Sequence, residues 1–285
     1  MDFVEARRNQ IFLPLSWLLG LGTQLAFAIE RWRAEYGEAL VGWVDTLGTL
    51  EAVVALSGYA YEHPEDPFPD VLDEGAVFDS VGLGHPLLPA ATNVRNDVSL
   101  VAPSTGEPPQ ALLVSGSNMS GKSTLLRSVG INVVLALAGA PVRATRLRVS
   151  RLRVGASIRV NDSLREGESR FYAEIARLRR IVDLARDAGP ALFLLDEMLG
   201  GTNSHDRRIG AEAVIASLLD TGAVGLVTTH DLALAAIAER RPSMENVHFE
   251  DRMEDGRMRF DYRMRPGVVT RSNAIELMRA VGLEV

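Results

Sequence analysis

The segment from Gly116 to Ser123 constrains the fold more than any other part of the chain. It reads Gly-Ser-Asn-Met-Ser-Gly-Lys-Ser and matches the pattern G-x-x-x-x-G-K-[ST] in full. The apolar run 111–115 (ALLVS) precedes it, and a helical pattern over 123–138 follows it. Glycine lets the backbone bend so that N–H groups point inward, and the start of a helix carries partial positive charge. The sequence therefore predicts a phosphate-binding P-loop within an α/β domain.

Lys122 lies inside this loop and is the chain's one lysine, because the other 29 of its 30 basic residues are arginine. A lysine kept at this position indicates that the site requires a compact ammonium group, which the planar guanidinium group of arginine cannot replace. We expect Lys122 to be an exposed cation that reaches the β- and γ-phosphates of a nucleotide. The hydroxyl of Ser123 is predicted to ligate Mg²⁺. Removing Lys122 should then abolish nucleotide binding without unfolding the chain.

Polar residues follow two further apolar runs and could supply hydrolytic chemistry. Asp196 and Glu197 come directly after the run 191–195 (ALFLL), and His230 follows the run 225–228 (GLVT). Asp196 is predicted to hold Mg²⁺, directly or through water, and Glu197 to activate the attacking water. His230 is predicted to sense or polarise the region of the γ-phosphate, although a capping or structural histidine fits the same position.

The chain after about residue 76 alternates between strand-like and helical patterns. Residues 145–160 alternate in the manner of strands, and residues 167–187 form a charged amphipathic helix. This order predicts a mostly parallel sheet flanked by helices. The prolines and acids of HPEDPFPD at 63–70 predict a linker over 63–75, between a helical segment over 1–62 and a domain over 76–285.

The N-terminal segment allows two interpretations. Residues 11–28 are mostly apolar and follow two arginines, as in a secretory signal or a membrane helix. The stretch barely reaches spanning length and contains Pro14 and Gly20, so we favour a buried helix and regard membrane association as the weaker interpretation. Apolar residues spaced by four and three then predict one apolar row on a long helix: Leu25, Ile29, Trp32, Tyr36, Leu40, Trp43, Leu47, Leu50 and Val54.

Composition excludes several classes of protein. Hydrophobic residues make up 47% and charged residues 24%, which excludes a disordered or fibrous chain. The absence of cysteine excludes disulfides, cysteine-ligated metals and thiol catalysis, and it is compatible with a reducing, cytoplasmic location. The net charge of −7 argues against coating nucleic acid by bulk charge. Residues 141–180 contain eleven arginines against four acids, which favours an ion-paired strand face over a DNA-binding patch.

Six motifs in this order carry a resemblance to a known family: GLGHP (82–86), RND (95–97), SGSNMSGKSTLLR (115–127), GESRFYAEI (167–175), LLDEMLGGTNSHD (194–206) and TTHD (228–231). They resemble the ATPase domain of the MutS family of DNA mismatch-repair proteins. The resemblance implies an ABC-like P-loop NTPase over 76–285, an ATPase that uses ATP and Mg²⁺. The helical segment over 1–62 would be a remnant of the family's lever or core region.

The resemblance also implies roles for single residues. The nucleotide would be held by Gly116, Ser117, Asn118, Met119, Ser120, Gly121, Lys122, Ser123 and Thr124. Asn118 and Lys122 would contact the terminal phosphate, and Ser123 and Asp196 would hold Mg²⁺. Glu197 would be the catalytic base and His230 the switch. Ser169 would contact the γ-phosphate held by the neighbouring subunit, so that two chains form a homodimer through composite ATP sites.

The chain departs from the family pattern at several places. Ser117 stands where the family usually has proline, and Ser120 where it usually has glycine. The aromatic residue that stacks on adenine would fall near Asn93 or Val94, and neither is aromatic. We expect the mismatch-reading domain with its Phe-x-Glu wedge to be absent from these residues, and duplex DNA binding to be weak and without mismatch preference.

Two alternative functions remain open from the sequence. In one, ATP closes a dimer without significant hydrolysis, which an intact Glu197 disfavours. In the other, the chain is the ATP-binding subunit of an ABC-type transporter. The apolar N-terminus mildly favours that alternative, and the absence of an LSGGQ-like signature disfavours it.

Overall fold

The computed structural model of the chain describes residue 14 and residues 17–103, 108–158, 170–187, 189–254 and 257–269. The chain divides into two compact units, Met1–Gly58 and Tyr59–Val285. The helices are α1 (Leu21–Tyr36), α2 (Ala39–Glu62), α3 (Lys122–Leu137), α4 (Arg170–Arg186), α5 (Ser204–Asp220) and α6 (Ala235–Glu239). The strands are β1 (Asp70–Leu72), β2 (Ala76–Leu83), β3 (Asn96–Ala102), β4 (Ala111–Ser115), β5 (Arg146–Ser150), β6 (Arg153–Ser157), β7 (Ala191–Asp196), β8 (Val224–Thr229), β9 (Met244–Glu254) and β10 (Arg257–Pro266).

In the described part of the first unit, the main elements are α1 and most of α2. The long helix predicted from the apolar row is divided in two, because a turn at Gly37 and Glu38 separates α1 from α2. The N–H of Gly37 still donates to the carbonyl of Arg33 at 2.8 Å, so the division is local. Neither helix has a buried residue, so the buried helix expected over 11–28 is wrong for the part of that stretch that the structure describes. The rings of Trp32 and Tyr36 lie 6.1 Å apart on this exposed surface.

Among the described residues, α2 is one helix that is long and apolar enough to cross a membrane, with a mean hydropathy of 1.5. Core helices of water-soluble proteins and signal sequences can be equally long and apolar, so the length and composition of α2 are weak support for a membrane role. Asp45 and Glu51 lie within α2, and ionised carboxylates are costly inside a bilayer.

The second unit contains two sheets. The larger has the strand order β10-β9-β4-β8-β7-β6, and its neighbours are parallel except for the antiparallel β9–β10 hairpin. The smaller has the order β1-β5-β2-β3, with β1 parallel to β5 and the other pairs antiparallel. The strand-like alternation over 145–160 is confirmed as two strands, β5 and β6, and these belong to different sheets.

Side chains of the larger sheet alternate between two apolar cores. Leu112, Leu194 and Phe249 face one core, together with apolar residues of α3 and of the smaller sheet. Leu113 and Phe193 face the other, together with residues of α4, α5 and α6. The predicted α/β class and mostly parallel sheet are confirmed. The prediction that only helices flank the larger sheet is incomplete, because one face of that sheet packs against both α3 and the smaller sheet.

Residues 63–75, predicted as a linker, lie within the second unit and are fixed to it by β1 and by a buried ion pair. The carboxylate of Asp66 is fully buried and accepts hydrogen bonds from Arg143 Nη1 at 3.0 and 3.1 Å and from the Tyr59 hydroxyl at 2.9 Å. Burial alone would lower the pKa of Arg143, but the hydrogen bonds and charge of Asp66 raise it. The domain boundaries at 62 and 76 stay predictions.

Candidate nucleotide-binding site

The P-loop and the ends of β7 and β8 line a single cleft of about 1310 Å³ in the second unit. Lys122, Asp196, Glu197 and His230 all lie at this cleft. Parallel strands bring their carboxyl ends to the same edge of a sheet, and ligands of open α/β sheets bind at that edge. The residues that the sequence predicts for phosphate binding and for hydrolysis are therefore brought together.

The backbone of the P-loop requires glycine at both ends. Gly116 has a φ of 146°, and a Cβ there would lie 2.9 Å from both the carbonyl oxygen of Phe249 and the hydroxyl of Ser120. Gly121 has a φ of 109° and caps the N-terminus of α3. These two glycines let the loop turn tightly from β4 into α3, which places the start of the helix at the cleft.

Lys122 is buried rather than exposed, with 4% of its side chain accessible, so that expectation was wrong. Its ammonium group donates to the carbonyls of Gly116 at 2.8 Å and Ser117 at 2.9 Å, because the loop wraps around it. Nζ also lies 3.5 Å from Glu197 Oε1. Burial lowers the pKa of Lys122, and the negative charges of Glu197 and Asp196 oppose that shift.

Thr228 orients the two carboxylates at the end of β7. Its hydroxyl donates to Asp196 Oδ1 at 2.6 Å and accepts from the backbone N–H of Glu197 at 3.0 Å. The strands place Thr228 directly opposite Asp196 in register. This role of Thr228 was not predicted from the sequence, although the place of Thr228 at the end of an apolar run was a usable signal.

Glu197 lies between two groups that can carry positive charge. Its Oε1 is 3.5 Å from Lys122 Nζ and 3.5 Å from His230 Nδ1. Glu197 is partly exposed and His230 is exposed, so both remain accessible from the cleft. Within the described residues, no group of three or more His, Asp or Glu side chains could hold a metal ion alone.

The other predicted nucleotide contacts divide into two sets. Residues that line the cleft are Asn118, Met119, Gly121, Ser123 and Thr124. The hydroxyls of Ser117 and Ser120 are instead buried, and each lacks a hydrogen-bond partner among the described residues. Ser169, predicted to act on a neighbouring subunit, lies outside the described residues.

The position expected for an adenine-stacking residue holds no aromatic side chain. Asn93 lines the cleft, but its amide is bound to the backbone of His85 at 3.2 and 2.9 Å. Tyr262 on β10 lines the same cleft, and a Cβ added at Gly121 would lie 3.3 Å from its ring. Asn96 fixes the backbone there by donating to the Tyr262 carbonyl at 3.0 Å. Sequence reasoning missed Tyr262, because a hairpin far along the chain carries it to the P-loop.

Most arginines of the 141–180 region that the structure describes pair within the chain. The pairs are Arg143–Asp66 at 3.0 Å, Arg146–Asp79 at 3.1 Å, Arg148–Asp79 at 3.9 Å, Arg151–Asp73 at 3.2 Å, Arg153–Asp187 at 3.7 Å and Arg179–Asp183 at 2.8 Å. These contacts support the interpretation of an ion-paired face over that of a DNA-binding patch.

Comparison with known families identifies the domain that contains most of the cleft residues. Residues 112–284, more than half of the chain, match the family model for MutS domain V. The chain belongs to the MutS family. Domain V is the ATPase domain of that family, so the cleft lies in the MutS ATPase domain.

Curated relatives agree with this membership. The chain is 32% identical to DNA mismatch repair protein MutS 2 of Halobacterium salinarum over 287 residues, 99% of this chain and 31% of the relative. It is 34% identical to Endonuclease MutS2 of Thermus thermophilus over 200 residues, 70% of this chain and 25% of the relative. It is 32% identical to DNA mismatch repair protein MutS of Myxococcus xanthus over 261 residues, 91% of this chain and 26% of the relative. The chain thus spans between about a quarter and a third of these MutS proteins.

Proposed function

We propose that the second unit binds Mg·ATP at this cleft and hydrolyses it. The observation that carries the proposal is the convergence of Lys122, Asp196, Glu197 and His230 at one cleft, beside the start of α3. Membership of the family supports a nucleotide-related enzyme, and these side chains support the proposal that the enzyme hydrolyses ATP. We propose a cytoplasmic location for this activity, because ATP is available there.

The donor set fits Mg²⁺ and a triphosphate. Mg²⁺ is usually held by one or two protein oxygens together with phosphate oxygens and water. Ser123 and Asp196, which both line the cleft, would supply those protein ligands. When bound, the ion neutralises charge on the β- and γ-phosphates. The inward-facing N–H groups of the P-loop and the N-terminus of α3 would bind the same phosphates.

Lys122 and Glu197 would exchange partners when the nucleotide binds. Lys122 would leave the carbonyls of Gly116 and Ser117 for phosphate oxygens, which are stronger acceptors because they are charged. Glu197 would lose one cationic neighbour and become free to accept a proton from the attacking water. His230, on the other side of Glu197, would orient that carboxylate or contact the γ-phosphate. Tyr262 would offer a ring for stacking with the base.

Phosphate release by the Glu197→Gln variant tests this proposal. Glutamine keeps the shape of the side chain but cannot take the proton, so Mg·ATP should bind and hydrolysis should fall at least about 100-fold. Glu239→Gln at the end of α6, outside the cleft lining, is the matched control and should hydrolyse ATP like the wild type. A wild-type chain that binds ATP without releasing phosphate would instead favour the non-hydrolytic switch.

We also propose that two chains close around ATP, with Ser169 of one chain facing the phosphates held by the other. Light scattering of Glu197→Gln should report dimers with Mg·ATP and monomers with ADP, because only the uncleaved nucleotide would join the two surfaces. Ser169→Arg should prevent this closure while ATP binding persists. Dimers that form equally well with Ser169→Arg would refute the role of Ser169.

Coupling of the nucleotide state to duplex DNA is the remaining part of the proposal. The names of the relatives include DNA mismatch repair proteins, and those proteins are three to four times longer than the matched region. Most of the described arginines within 141–180 are paired inside the chain, so we propose weak binding without mismatch preference. Titration with matched and mismatched duplexes at two salt concentrations tests this, and a clear preference for the mismatched duplex would refute it.

A further inference from the structure

The loop that follows β7 adopts a backbone conformation that needs outside support. Glu197 has a φ of 50° and Leu199 has a φ of 59°, both in the left-handed region. This region is strained for any residue that carries a side chain, and such residues persist only when their surroundings fix them. Glu197 is the proposed base, so whatever fixes this loop also fixes the direction of its carboxylate.

Three separate elements hold the loop. Thr228 at the end of β8 accepts a hydrogen bond from the N–H of Glu197, through its hydroxyl at 3.0 Å and its carbonyl at 3.2 Å. Arg207 on α5 donates to the carbonyls of Leu199 and Thr202, each at 3.2 Å. Glu174 on α4 accepts a hydrogen bond from the N–H of Leu199 at 2.5 Å. Leu199 is thus held at both its N–H and its carbonyl.

Glu174 is the unusual member of this set. It is 8% exposed and also lines the cleft, so a carboxylate has been removed from water at the side of the proposed active site. A buried carboxylate is costly unless charge-assisted hydrogen bonds stabilise it. In the structure its hydrogen bond goes to the backbone of the strained residue Leu199. If the side chain at position 174 only filled space, a neutral or apolar residue would do so without the free-energy cost of burying a carboxylate.

We propose that Glu174 is a positioning residue, which holds Leu199 in the left-handed region and thereby aims the carboxylate of Glu197 at the phosphate end of the cleft. This inference rests on the proposed hydrolytic function. It predicts that Glu174 affects turnover through Glu197 and leaves nucleotide affinity almost unchanged, because none of its hydrogen bonds involves the P-loop. A displacement of about 1 Å at a catalytic group can cost on the order of 100-fold in rate.

Two substitutions at Glu174 separate positioning from packing. Glu174→Ala removes the acceptor, and kcat should fall about 10- to 100-fold while the Kd for ATP changes less than about threefold. Glu174→Gln keeps a carbonyl oxygen that can accept from Leu199, so it should retain kcat within about threefold of the wild type. Asp183→Ala on the same helix removes an exposed carboxylate and is the matched control.

Hydrogen exchange gives a readout that does not depend on turnover. The amide of Leu199 should exchange slowly in the wild type and in Glu174→Gln, and at least about tenfold faster in Glu174→Ala. A Leu199 amide as protected in Glu174→Ala as in the wild type would overturn the inference. So would a kcat for Glu174→Ala equal to that of Asp183→Ala.

A double substitution tests whether Glu174 acts through Glu197. Adding Glu174→Ala to Glu197→Gln should cause no further loss of turnover, whereas independent roles would make the two losses multiply. Multiplying losses would overturn the positioning role. A wild-type chain that releases no phosphate would refute the proposed hydrolysis instead, and the exchange measurement would still decide whether Glu174 holds the loop.

Discussion

Replacing Arg143 by methionine should destabilise the second unit strongly, although Arg143 lies outside the nucleotide cleft. Its side chain is 2% exposed, and Nη1 donates to both carboxylate oxygens of Asp66 and to Glu65 Oε1 at 3.1 Å. Methionine would fill much of the same volume without a charge. The carboxylate of Asp66, which is fully buried, would then lose its closest cation.

The magnitude follows from what remains around Asp66. Removing one partner of a buried ion pair costs about 3–5 kcal/mol, because the remaining charge stays out of water. Asp66 would keep the Tyr59 hydroxyl at 2.9 Å and Arg95 at 3.8 Å, so we expect about 3 kcal/mol, the lower part of that range. The pair with exposed Glu65 adds little. For a unit of this size, the melting temperature should fall by roughly 6–12 °C.

Urea and thermal unfolding of purified Arg143→Met would measure this loss. Arg179→Met is the matched control, because Arg179 pairs with Asp183 on an exposed helical surface and should cost less than about 1 kcal/mol. Adding Asp66→Asn to Arg143→Met should recover part of the stability, since no unpaired charge would then be buried. A loss for Arg143→Met no greater than that for Arg179→Met would refute the reasoning.

Two further predictions follow from shifted pKa values. Burial lowers the pKa of Lys122, so its charged form opposes folding and the stability rises with pH as it deprotonates. Lys122→Met should therefore abolish ATP binding in a titration, while the nucleotide-free chain melts at or above the wild-type temperature; a fall of more than about 5 °C would contradict this. Burial and the hydrogen bond to Asp66 raise the pKa of Tyr59 above its ordinary 10.0, so its contribution to stability is present below that pH and lost as pH rises through the folded pKa. Tyr59→Phe should flatten the decline of the unfolding free energy above pH 10, and equal slopes for the two proteins in urea titrations would count against this account.

Local patterns predicted the P-loop and the strands around it. The motif from Gly116 to Ser123, the apolar runs of β4, β7 and β8, and the helix α3 are all where the sequence places them. Each of these signals lies within a few consecutive residues, and buried parallel strands are nearly continuous apolar runs. The sequence also places Asp196, Glu197 and His230 directly after such runs, and in the structure all three line one cleft.

Such local patterns could not predict contacts between segments that are distant in the sequence. The smaller sheet pairs β1 with β5, which are separated by more than seventy residues, and its strands carry polar residues that weaken the apolar signal. Tyr262 reaches the P-loop only because the β9–β10 hairpin joins the edge of the larger sheet. The burial of Lys122 depends on carbonyl groups of its own loop that point at its ammonium group. A sequence motif gives the residue types of the loop but not the directions of its carbonyl groups. The support that Glu174 gives to Leu199 depends equally on tertiary packing.

A crystal structure of this chain with Mg²⁺ and a non-hydrolysable ATP analogue would test the central claim most directly. The account predicts that the ammonium group of Lys122 leaves the carbonyls of Gly116 and Ser117 and contacts the terminal phosphate. It also predicts Mg²⁺ bound to Ser123 and Asp196, with Glu197 facing the γ-phosphate. An analogue bound elsewhere, with Lys122 still hydrogen-bonded to its own loop, would contradict the account.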